Sequence, residues 1–377
     1  MRALDELGRR RIAALDPGGQ FAAVAGLADQ LEEGWAAARE AAAEALAPRP
    51  AAAANVFAAV QAPDGIAVCG MGGSAICAEV VRGSLAGVPL PYEVVRGYAP
   101  PAWVSPRTLV VCISYSGDTE EALACVRKAH GRGCAPICIA SGGALAGLAA
   151  ENGWPLILVP GGRQPRHALG YLTAALAAAL DAAGVAAGLA EQVAEAAELV
   201  RVQARELGPA VPEKANPAKQ LARLLHGRLA LVYGGGVTAA AARRWKGEIN
   251  ENAKAPAAFA ELPELDHNEI VGWTGAPQLA AQTAVILLVD PLGDPRLQRR
   301  AQVTADYVGR YAAAVELIVS RGAGPLARCL TAAYVGDWVS LYLALLYGVD
   351  PTPVAAIDEL KARLAAPSAE LAAPPQA

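Results

Sequence analysis

The sequence is poor in aromatic and charged residues, and it contains no long, uninterrupted apolar run. Of its 377 residues, 5% are aromatic and 18% are charged, whereas 54% are hydrophobic. This balance excludes a disordered or fibrous chain and supplies enough apolar surface for a large core. The longest weakly polar stretch, 168–190, is rich in alanine and contains Asp181, so it predicts a buried helix and no membrane span.

The sequence also lacks an excess of basic charge. Its 32 Lys and Arg residues against 36 Asp and Glu residues give a formal net charge of −4. A general nucleic-acid-binding protein would present a basic face, so we expect no nucleic-acid partner. A local basic pocket for a small anionic ligand is compatible with this charge.

Cysteine pairs with the spacing of metal or redox motifs are missing. The seven cysteines are odd in number, include no CxxC pair, and in several cases lie in apolar, strand-like runs. Cys134 and Cys138 lack a second pair or a histidine at zinc spacing. We therefore expect buried, reduced thiols in a cytoplasmic protein. Residues 1–16 form a charged amphipathic helix pattern and not a signal peptide, which favours the same location.

Apolar, strand-like runs alternate with helical patterns along most of the chain. The alternation predicts parallel sheets with helices on both faces, and the strand–glycine–helix pattern of Val68–Ala78 returns at Val232–Ala242. We therefore predict two doubly wound α/β domains flanked by N- and C-terminal helices. The predicted limits are 1–50 for the N-terminal helices, 51–205 for the first domain, 206–366 for the second domain with its C-terminal helix, and 367–377 for a disordered tail.

Two hydroxyl-bearing loops follow strands of the first half. Gly72–Ser74 and Ser114–Thr119 each join the carboxyl end of a predicted strand to a helix. Ligands of parallel sheets bind beyond the carboxyl ends of the strands, and free N–H groups at a helix start favour anions. The two loops together predict a cradle for a phosphomonoester. For either loop alone, ordinary helix capping explains the residues equally well.

Other phosphate-binding motifs do not fit these loops. No GK[ST] follows the first glycines as in a Walker A loop, and the third glycine and the ribose-binding acid of a dinucleotide fingerprint are missing. The corresponding loop of the second half, Gly234–Val237, keeps glycines but has no hydroxyl. We therefore expect a single phosphate site in each chain.

The second half carries the residues suited to acid–base chemistry. Glu248 and Glu251 lie one turn apart on a predicted helix, and His267 lies among carboxylates and amides in Asp266–Glu269. A histidine in such a setting can act as an acid or a base and transfer protons. A solvated helix face and a polar loop are the alternative interpretations of Glu251 and His267. A metal cluster at Asp266–Glu269 is not favoured, because no second histidine lies at i+3 or i+4.

Six short segments form an ordered set along the chain: Gly72–Ser74, Ser114–Thr119, Pro165–Arg166, Asn250–Lys254, His267–Glu269 and Asp358–Lys361. Taken in order, they resemble the motifs of the bifunctional phosphoglucose/phosphomannose isomerases. The resemblance covers about 65–365 and implies two SIS (sugar isomerase) domains of the phosphoglucose isomerase superfamily. The Ser-Tyr-Ser-Gly-x-Thr loop marks only the SIS fold, whereas the Asn-Glu-Asn segment with the later histidine and lysine is far more specific.

The resemblance implies an aldose–ketose isomerase that interconverts glucose 6-phosphate, and mannose 6-phosphate, with fructose 6-phosphate through an enediolate, without a metal or redox cofactor. It implies that Glu251 is the base that moves a proton between C1 and C2, and that Arg166 stabilises the enediolate. His267, from the neighbouring subunit, would assist ring opening together with Lys361. The implied phosphate-binding residues are Gly73, Ser74, Ser114, Ser116 and Thr119.

Two positions bear on how closely the pattern fits. His167 follows Arg166, where the family pattern leads us to expect a small residue, and it can face the same site. Thr352 is a candidate for the threonine associated with mannose-type substrates.

Two other functional classes share the SIS fold. A non-catalytic sugar-phosphate regulator is the main alternative; such a protein would normally add a DNA-binding helix-turn-helix, and residues 1–48 are too short and too mixed in charge for one. An aminosugar isomerase or ammonia-dependent synthase would usually carry a glutaminase domain, and no N-terminal cysteine is present.

The resemblance also implies a homodimer with shared active sites. Apolar residues surround His267 in the sequence, and a polar loop would not normally expose such a set. We expect them to be buried against a second subunit; packing within their own domain is the alternative. The set is Leu262, Pro263, Leu265, Ile270 and Trp273.

Overall fold

The computed structural model describes residues 4–6, 9–45 and 63–365. The predicted disordered tail, 367–377, lies outside these residues, as does 46–50 at the end of the predicted N-terminal helices. The sheets and helices bear out the predicted α/β class with parallel sheets. The predicted domain limits stay a prediction.

After a short 3₁₀ helix (Leu4–Glu6), residues 9–45 of the N-terminal segment form three α-helices: α1 (Arg9–Leu15), α2 (Gln20–Ala25) and α3 (Leu27–Ala45). The sequence predicted helix up to about residue 48, and the structure interrupts it at 16–19. The interruption contains Pro17, and Gly19 adopts a φ of 68° there. The carboxylate of Asp16 then accepts hydrogen bonds from the backbone N–H groups of Gln20 (2.8 Å) and Phe21 (2.9 Å), which restarts the helix.

The first sheet is parallel and has the strand order β2-β1-β3-β4-β5. Strand β2 lies on one side of β1, and the chain then crosses to β3 on the other side of β1. The strand order reverses at this point, so the carboxyl ends of β1 and β3 form a crevice. Its strands are β1 (Ile66–Cys69), β2 (Tyr92–Val95), β3 (Leu109–Ile113), β4 (Ile137–Ala140) and β5 (Leu156–Leu158), and the helices of this half are α4 (Gly72–Arg82), α5 (Glu120–Gly131), α6 (Gly143–Asn152) and α7 (Leu169–Ala182).

The second sheet is also parallel, with the order β7-β6-β8-β9. The sequence analysis missed β7, whose residues AAFAEL contain no β-branched side chain; pairing with six residues of β6 holds it in the sheet. Its strands are β6 (Leu229–Gly235), β7 (Ala257–Leu262), β8 (Thr283–Val289) and β9 (Ala314–Val319), and the remaining helices are α8 (Leu189–Leu207), α9 (Pro217–Leu225), α10 (Thr238–Asn252), α11 (Pro277–Ala280), α12 (Pro295–Val308), α13 (Pro325–Tyr347) and α14 (Ala355–Ala365).

One hydrophobic core joins the two sheets. It contains Ile66 and Val68 of β1, Val232 of β6 and Ile286 of β8, together with the facing sides of α3, α4, α7, α8, α10 and α13. A smaller cluster covers the outer face of each sheet. The predicted buried thiols are confirmed, since all seven cysteines are unpaired and buried.

Helix α13 is long and apolar enough to cross a membrane by length and composition, with a mean hydropathy of 1.5 over its best window. However, 94% of that window is buried inside the protein, where α13 packs against α8, α9 and α10. The central helix of a packed core passes the same length test.

Candidate active site

The first predicted phosphate loop opens α4 directly after β1. Gly73 permits a close approach, because a Cβ there would lie 2.9 Å from the carbonyl oxygen of Pro165. The short 3₁₀ helix Pro165–His167 therefore packs against the start of α4 and brings Arg166 to this edge of the sheet. Ser74 is buried, and its Oγ accepts a hydrogen bond from the backbone N–H of Tyr115 (3.3 Å), so the first loop contacts the second.

The second loop is tightly folded by its own hydroxyls. The Oγ of Ser114 donates to Oγ1 of Thr119 (3.0 Å), and the exposed Oγ of Ser116 accepts from the N–H of Asp118 (3.2 Å). Gly117 has a φ of 80°, and a Cβ there would lie 1.9 Å from the carbonyl oxygen of Gly142, so only glycine fits. The structure thus brings Gly73, Ser74, Ser114, Ser116 and Thr119 to the crevice at the carboxyl ends of β1 and β3.

A cavity of about 250 Å³ lies between the two halves beside Gly72 and Gly73. It is lined by five basic side chains and two acidic ones, so its electrostatic potential favours an anionic ligand. The hydroxyl-bearing residues of the second loop lie outside its lining. Its charged lining residues are Arg96, Arg166, Arg243, Arg244, Lys246, Glu248 and Glu251.

Glu251 and Arg166 face each other in this cavity. Nη1 of Arg166 lies 3.3 Å from Oε2 of Glu251; the arginine side chain is 4% exposed and the glutamate side chain 34%. Burial, and then the neighbouring Glu248 carboxylate, raises the pKa of Glu251, and the guanidinium groups of Arg166 and Arg244 oppose this shift. A half-buried carboxylate with a raised pKa beside a fixed cation has the properties of a general base.

Glu248, the other carboxylate on this face of α10, is already engaged. The side chain of Glu248 is 3% exposed, and its Oε1 lies 2.9 Å from Nη1 of Arg244. Arg244 also donates to the carboxylate of Asp337, through Nε (2.8 Å) and Nη2 (3.0 Å). Glu248 is thus bound by Arg244, whereas the partly exposed Glu251 faces the cavity, so the structure separates the surroundings of the two glutamates that lie one turn apart in the sequence.

Neutral oxygens hold the guanidinium of Arg166 in place. Nε donates to Oδ1 of Asn252 (2.8 Å), and Nη2 donates to the carbonyl oxygens of Pro351 (2.7 Å) and Thr352 (3.0 Å). The sequence analysis gave no role to Asn252, although it lay in the Asn-Glu-Asn segment. Its position four residues after Glu248 on one helix was the available signal. Thr352, the candidate for the threonine associated with mannose-type substrates, contacts Arg166 through its backbone carbonyl oxygen, which accepts the hydrogen bond from Nη2.

His167 lies behind Arg166, and the expectation that it can face the site is not met. Its side chain is fully buried, and Nδ1 contacts Oε1 of Gln20, while Nε2 lies 3.4 Å from both Oε2 of Glu248 and Nδ2 of Asn252. Burial, and then the nearby Arg166 and Arg244, lowers the pKa of His167 to about 3. It is therefore neutral at physiological pH and adds no charge beside Arg166.

His267 and Lys361 lie outside the cavity of their own chain. Both are exposed: His267 ends the 3₁₀ helix Glu264–His267 that follows β7, and Lys361 lies on α14. The carboxylate of the neighbouring Asp266 is bound by Arg300 (2.9 Å) and Thr304 (2.8 Å), so it is engaged by α12 and not by His267. Within residues 4–6, 9–45 and 63–365, no group of three or more His, Cys, Asp or Glu side chains is arranged to hold a metal ion.

The apolar set around His267 was expected to be buried against a second subunit, and most of it packs within its own domain. Leu262, Leu265 and Trp273 belong to the cluster on the outer face of the second sheet, and Ile270 packs against it. The reason is that the 3₁₀ helix Glu269–Thr274 after β7 packs against α12, whose Ala301 and Ala305 belong to the same cluster. Pro263, the remaining member of the set, is exposed, as is the nearby Val271, at 68% exposure.

Known proteins resemble this chain over most of its length. Residues 214–364 match the family described as the bacterial phospho-glucose isomerase C-terminal SIS domain. A crystal structure of a glucose-6-phosphate isomerase like protein from Thermus thermophilus matches with a TM-score of 0.61 and 23% identity, covering 93% of this chain and 98% of that chain. This likeness supports the α/β fold with two parallel sheets, and the family match assigns a SIS domain to residues 214–364.

Curated relatives are more similar in sequence. The bifunctional phosphoglucose/phosphomannose isomerase of Caldicellulosiruptor bescii is 39% identical over 304 residues, which is 80% of this chain and 90% of that protein. The enzyme of the same name from Aquifex aeolicus is 38% identical over 302 residues, with 80% and 90% of the two chains covered. Identity of this extent, together with the motifs at the site, shows that the chain belongs to the bifunctional phosphoglucose/phosphomannose isomerase family.

Proposed function

We propose that this protein interconverts glucose 6-phosphate and mannose 6-phosphate with fructose 6-phosphate. The curated relatives are named for both activities. The observation that carries the proposal is the Glu251–Arg166 pair, 3.3 Å apart, in a basic cavity beside Gly72 and Gly73. An aldose–ketose proton transfer needs one carboxylate base and one cation near the developing oxyanion, and this cavity offers both.

The proposed reaction moves one proton between adjacent carbons. Glu251 removes the proton from C2 of the open-chain aldose, and the C1 oxygen becomes the oxyanion of an enediolate. Nη1 of Arg166 faces Glu251 in the cavity, so the guanidinium lies near the reacting carbons and stabilises the negative charge on the C1 oxygen. Glu251 then returns the proton to C1, and the hydroxyl proton moves from O2 to O1, so no atom or electron is gained or lost. We propose no metal or redox cofactor for these steps.

The phosphate group is proposed to bind in the crevice formed by the two hydroxyl-bearing loops. The backbone N–H groups at the start of α4 and α5 and the hydroxyls of Ser114–Thr119 are suited to hold its oxygens. The binding energy of the phosphate then positions C1 and C2 without contributing to the proton transfer itself.

Replacing Ser116 and Thr119 by alanine tests this phosphate site. Each lost hydrogen bond to a charged group costs about 1.5–3 kcal/mol, so we expect KM for the sugar phosphates to rise at least about tenfold with a smaller change in kcat. Inorganic phosphate should compete with substrate in the wild type. The control is Ser105→Ala, at the opposite end of β3, which should leave KM unchanged. An unchanged KM in the double variant would refute the site, as would a phosphate ion bound at Gly234–Gly236.

The raised pKa of Glu251 predicts a titration that can be observed without substrate. A base is active when deprotonated, so a raised pKa means that the active form is lost at a higher pH than for an ordinary glutamate. We expect a side-chain carboxyl signal in carbon-13 NMR that is missing from Glu251→Gln and that titrates above the ordinary value of 4.5. A midpoint at or below 4.5 would contradict the proposed electrostatics.

We further propose a cytoplasmic homodimer in which His267 of one chain completes the active site of the other. Three features support the dimer: His267 lies outside the cavity of its own chain, Val271 is exposed four residues after His267, and α14 exposes Ile357, Leu360 and Leu364 on its surface. The buried, unpaired cysteines support a reducing compartment.

The test of the activity is a direct assay of each sugar phosphate with purified protein. We expect conversion of glucose 6-phosphate and mannose 6-phosphate to fructose 6-phosphate, unchanged by a chelator, and exchange of the C1 or C2 proton with solvent deuterium. Binding without turnover or exchange would favour the alternative of a non-catalytic regulator. Activity lost on chelation and restored by a metal would refute the proposed cofactor-free reaction.

A further inference from the structure

Arg166 is a buried cation whose fixed contacts are neutral. Three short hydrogen bonds join its Nε and Nη2 atoms to the side-chain oxygen of Asn252 and to two backbone carbonyls, at 2.7–3.0 Å. Among the residues that the structure describes, its Nη1 atom makes only longer contacts, 3.4 Å to Oε1 of Gln164 and 3.3 Å to Oε2 of Glu251. The guanidinium is thus immobilised on one edge, and its other edge is directed toward the cavity.

The neighbouring cation, Arg244, is bound by carboxylates. It forms ion pairs with both Glu248 and Asp337, at 2.8–2.9 Å. Two buried carboxylates therefore offset the charge of Arg244. Arg166 instead faces a single, half-exposed carboxylate among the described residues, that of Glu251. The charge of Arg166 is left available to a ligand in the cavity.

Asn252 is the side chain that keeps these two ion systems apart. It is fully buried; its Oδ1 accepts from Arg166, and its Nδ2 donates to Oε2 of Glu248 (2.9 Å) and to Oγ of Ser340 (2.9 Å). A side-chain amide both accepts and donates, so it satisfies a guanidinium on one side and a carboxylate on the other without adding charge. A carboxylate of the same shape would neutralise Arg166 and would lie against Glu248.

We propose that Asn252, assisted by Gln164, is a positioning residue that preserves the positive charge of Arg166 for the negative charge that develops on the substrate. This inference rests on the proposed isomerase function. It predicts that the neutrality of these two side chains matters more than their shape.

Asn252→Asp and Asn252→Ser separate charge from shape. Aspartate keeps the shape and the oxygen that accepts from Arg166, whereas serine loses both but stays neutral. If Asn252 only fills space, Asn252→Asp is the milder change. On our proposal Asn252→Asp lowers kcat about tenfold to hundredfold, with little change in KM, because it weakens oxyanion stabilisation. Asn252→Ser removes the hydrogen bonds of the amide to Arg166, Glu248 and Ser340 but adds no charge, so we expect it to lower kcat less, by under about tenfold.

The pH dependence gives a readout that a packing role would not produce. A protonated aspartic acid is neutral and an ionised one is not, so the defect of Asn252→Asp relative to wild type should grow as the pH rises. The matched control is Asn152→Asp at the end of α6, an exposed asparagine that does not line the cavity. It introduces the same charge away from Arg166, and we expect nearly wild-type activity at every pH.

Binding measurements test the same inference without turnover. A sugar-phosphate hydroxamate carries negative charge where the enediolate would, whereas glucitol 6-phosphate is neutral at the same carbons. We expect Asn252→Asp to weaken hydroxamate binding about tenfold and to leave glucitol 6-phosphate binding within about twofold. If Asn252→Asp fails to fold, Gln164→Glu introduces the charge at Nη1 in a half-buried position and should show the same selective loss.

Three results would overturn the inference. They are a kcat for Asn252→Asp equal to or above that of Asn252→Ser, a defect that does not depend on pH, and equal losses of affinity for the two ligands. A wild type that binds both ligands but does not interconvert the sugar phosphates would refute the proposed function instead, and the binding comparison would still decide the role of Asn252.

Discussion

Glu251→Gln should reduce kcat at least about 10³-fold on every sugar phosphate that the wild type converts, because it removes the proton acceptor without changing the shape of the side chain. The amide oxygen of glutamine can still accept from Nη1 of Arg166, which lies 3.3 Å from the carboxylate. We therefore expect an unchanged melting temperature and a KM or phosphate affinity within about threefold of the wild type. Steady-state kinetics and calorimetric titration with inorganic phosphate measure both.

Two further variants make the Glu251 experiment decisive. Glu261→Gln changes an exposed carboxylate on β7 that lies 3.4 Å from Arg243, and it should be nearly neutral. Glu248→Gln disturbs the buried pair with Arg244, so it should lower stability more than it lowers the rate of proton transfer. If Glu251→Gln retains more than about a tenth of the wild-type kcat and Glu248→Gln does not, the assignment of the base is wrong.

The phosphate loops could be predicted from the sequence because their position depends on local rules. A glycine or a hydroxyl directly after a parallel strand must lie at the carboxyl edge of the sheet, and the contact between Ser74 and Tyr115 joins the two loops there. The pairing of Glu251 with Arg166 could not be obtained from such rules. The two residues are 85 positions apart and lie on different halves, so only their family resemblance placed them together.

The misjudged elements have a common physical cause. Strand β7 has weak intrinsic preference for extended structure and forms because β6 offers a free edge. The apolar residues near His267 looked like an interface, yet Leu265 and Trp273 face the outer surface of the second sheet. His167 looked like a site residue and is a buried neutral side chain bound to Gln20. In each case the structure is determined by contacts with a segment that is distant in the sequence, and the local amino-acid composition does not reveal those contacts.

The shared active site predicts that two inactive variants restore each other. Glu251→Gln and His267→Ala should each be nearly inactive alone. When they are mixed under conditions of subunit exchange, a heterodimer contains one site with both residues intact and one site with neither. Each heterodimer should therefore show up to about half of the wild-type activity, and an equimolar mixture, in which about half of the dimers are heterodimers, about a quarter.

Arg166→Ala supplies the matched control for this mixing experiment. Nη1 of Arg166 lies 3.3 Å from Oε2 of Glu251 in the same chain, so both residues belong to the same site. Mixing Glu251→Gln with Arg166→Ala should then restore nothing, because neither site of the heterodimer is complete. Differently tagged chains and native mass spectrometry verify exchange. If exchange occurs and the Glu251→Gln and His267→Ala mixture stays inactive, His267 does not act across a subunit boundary, and the proposed shared site is refuted.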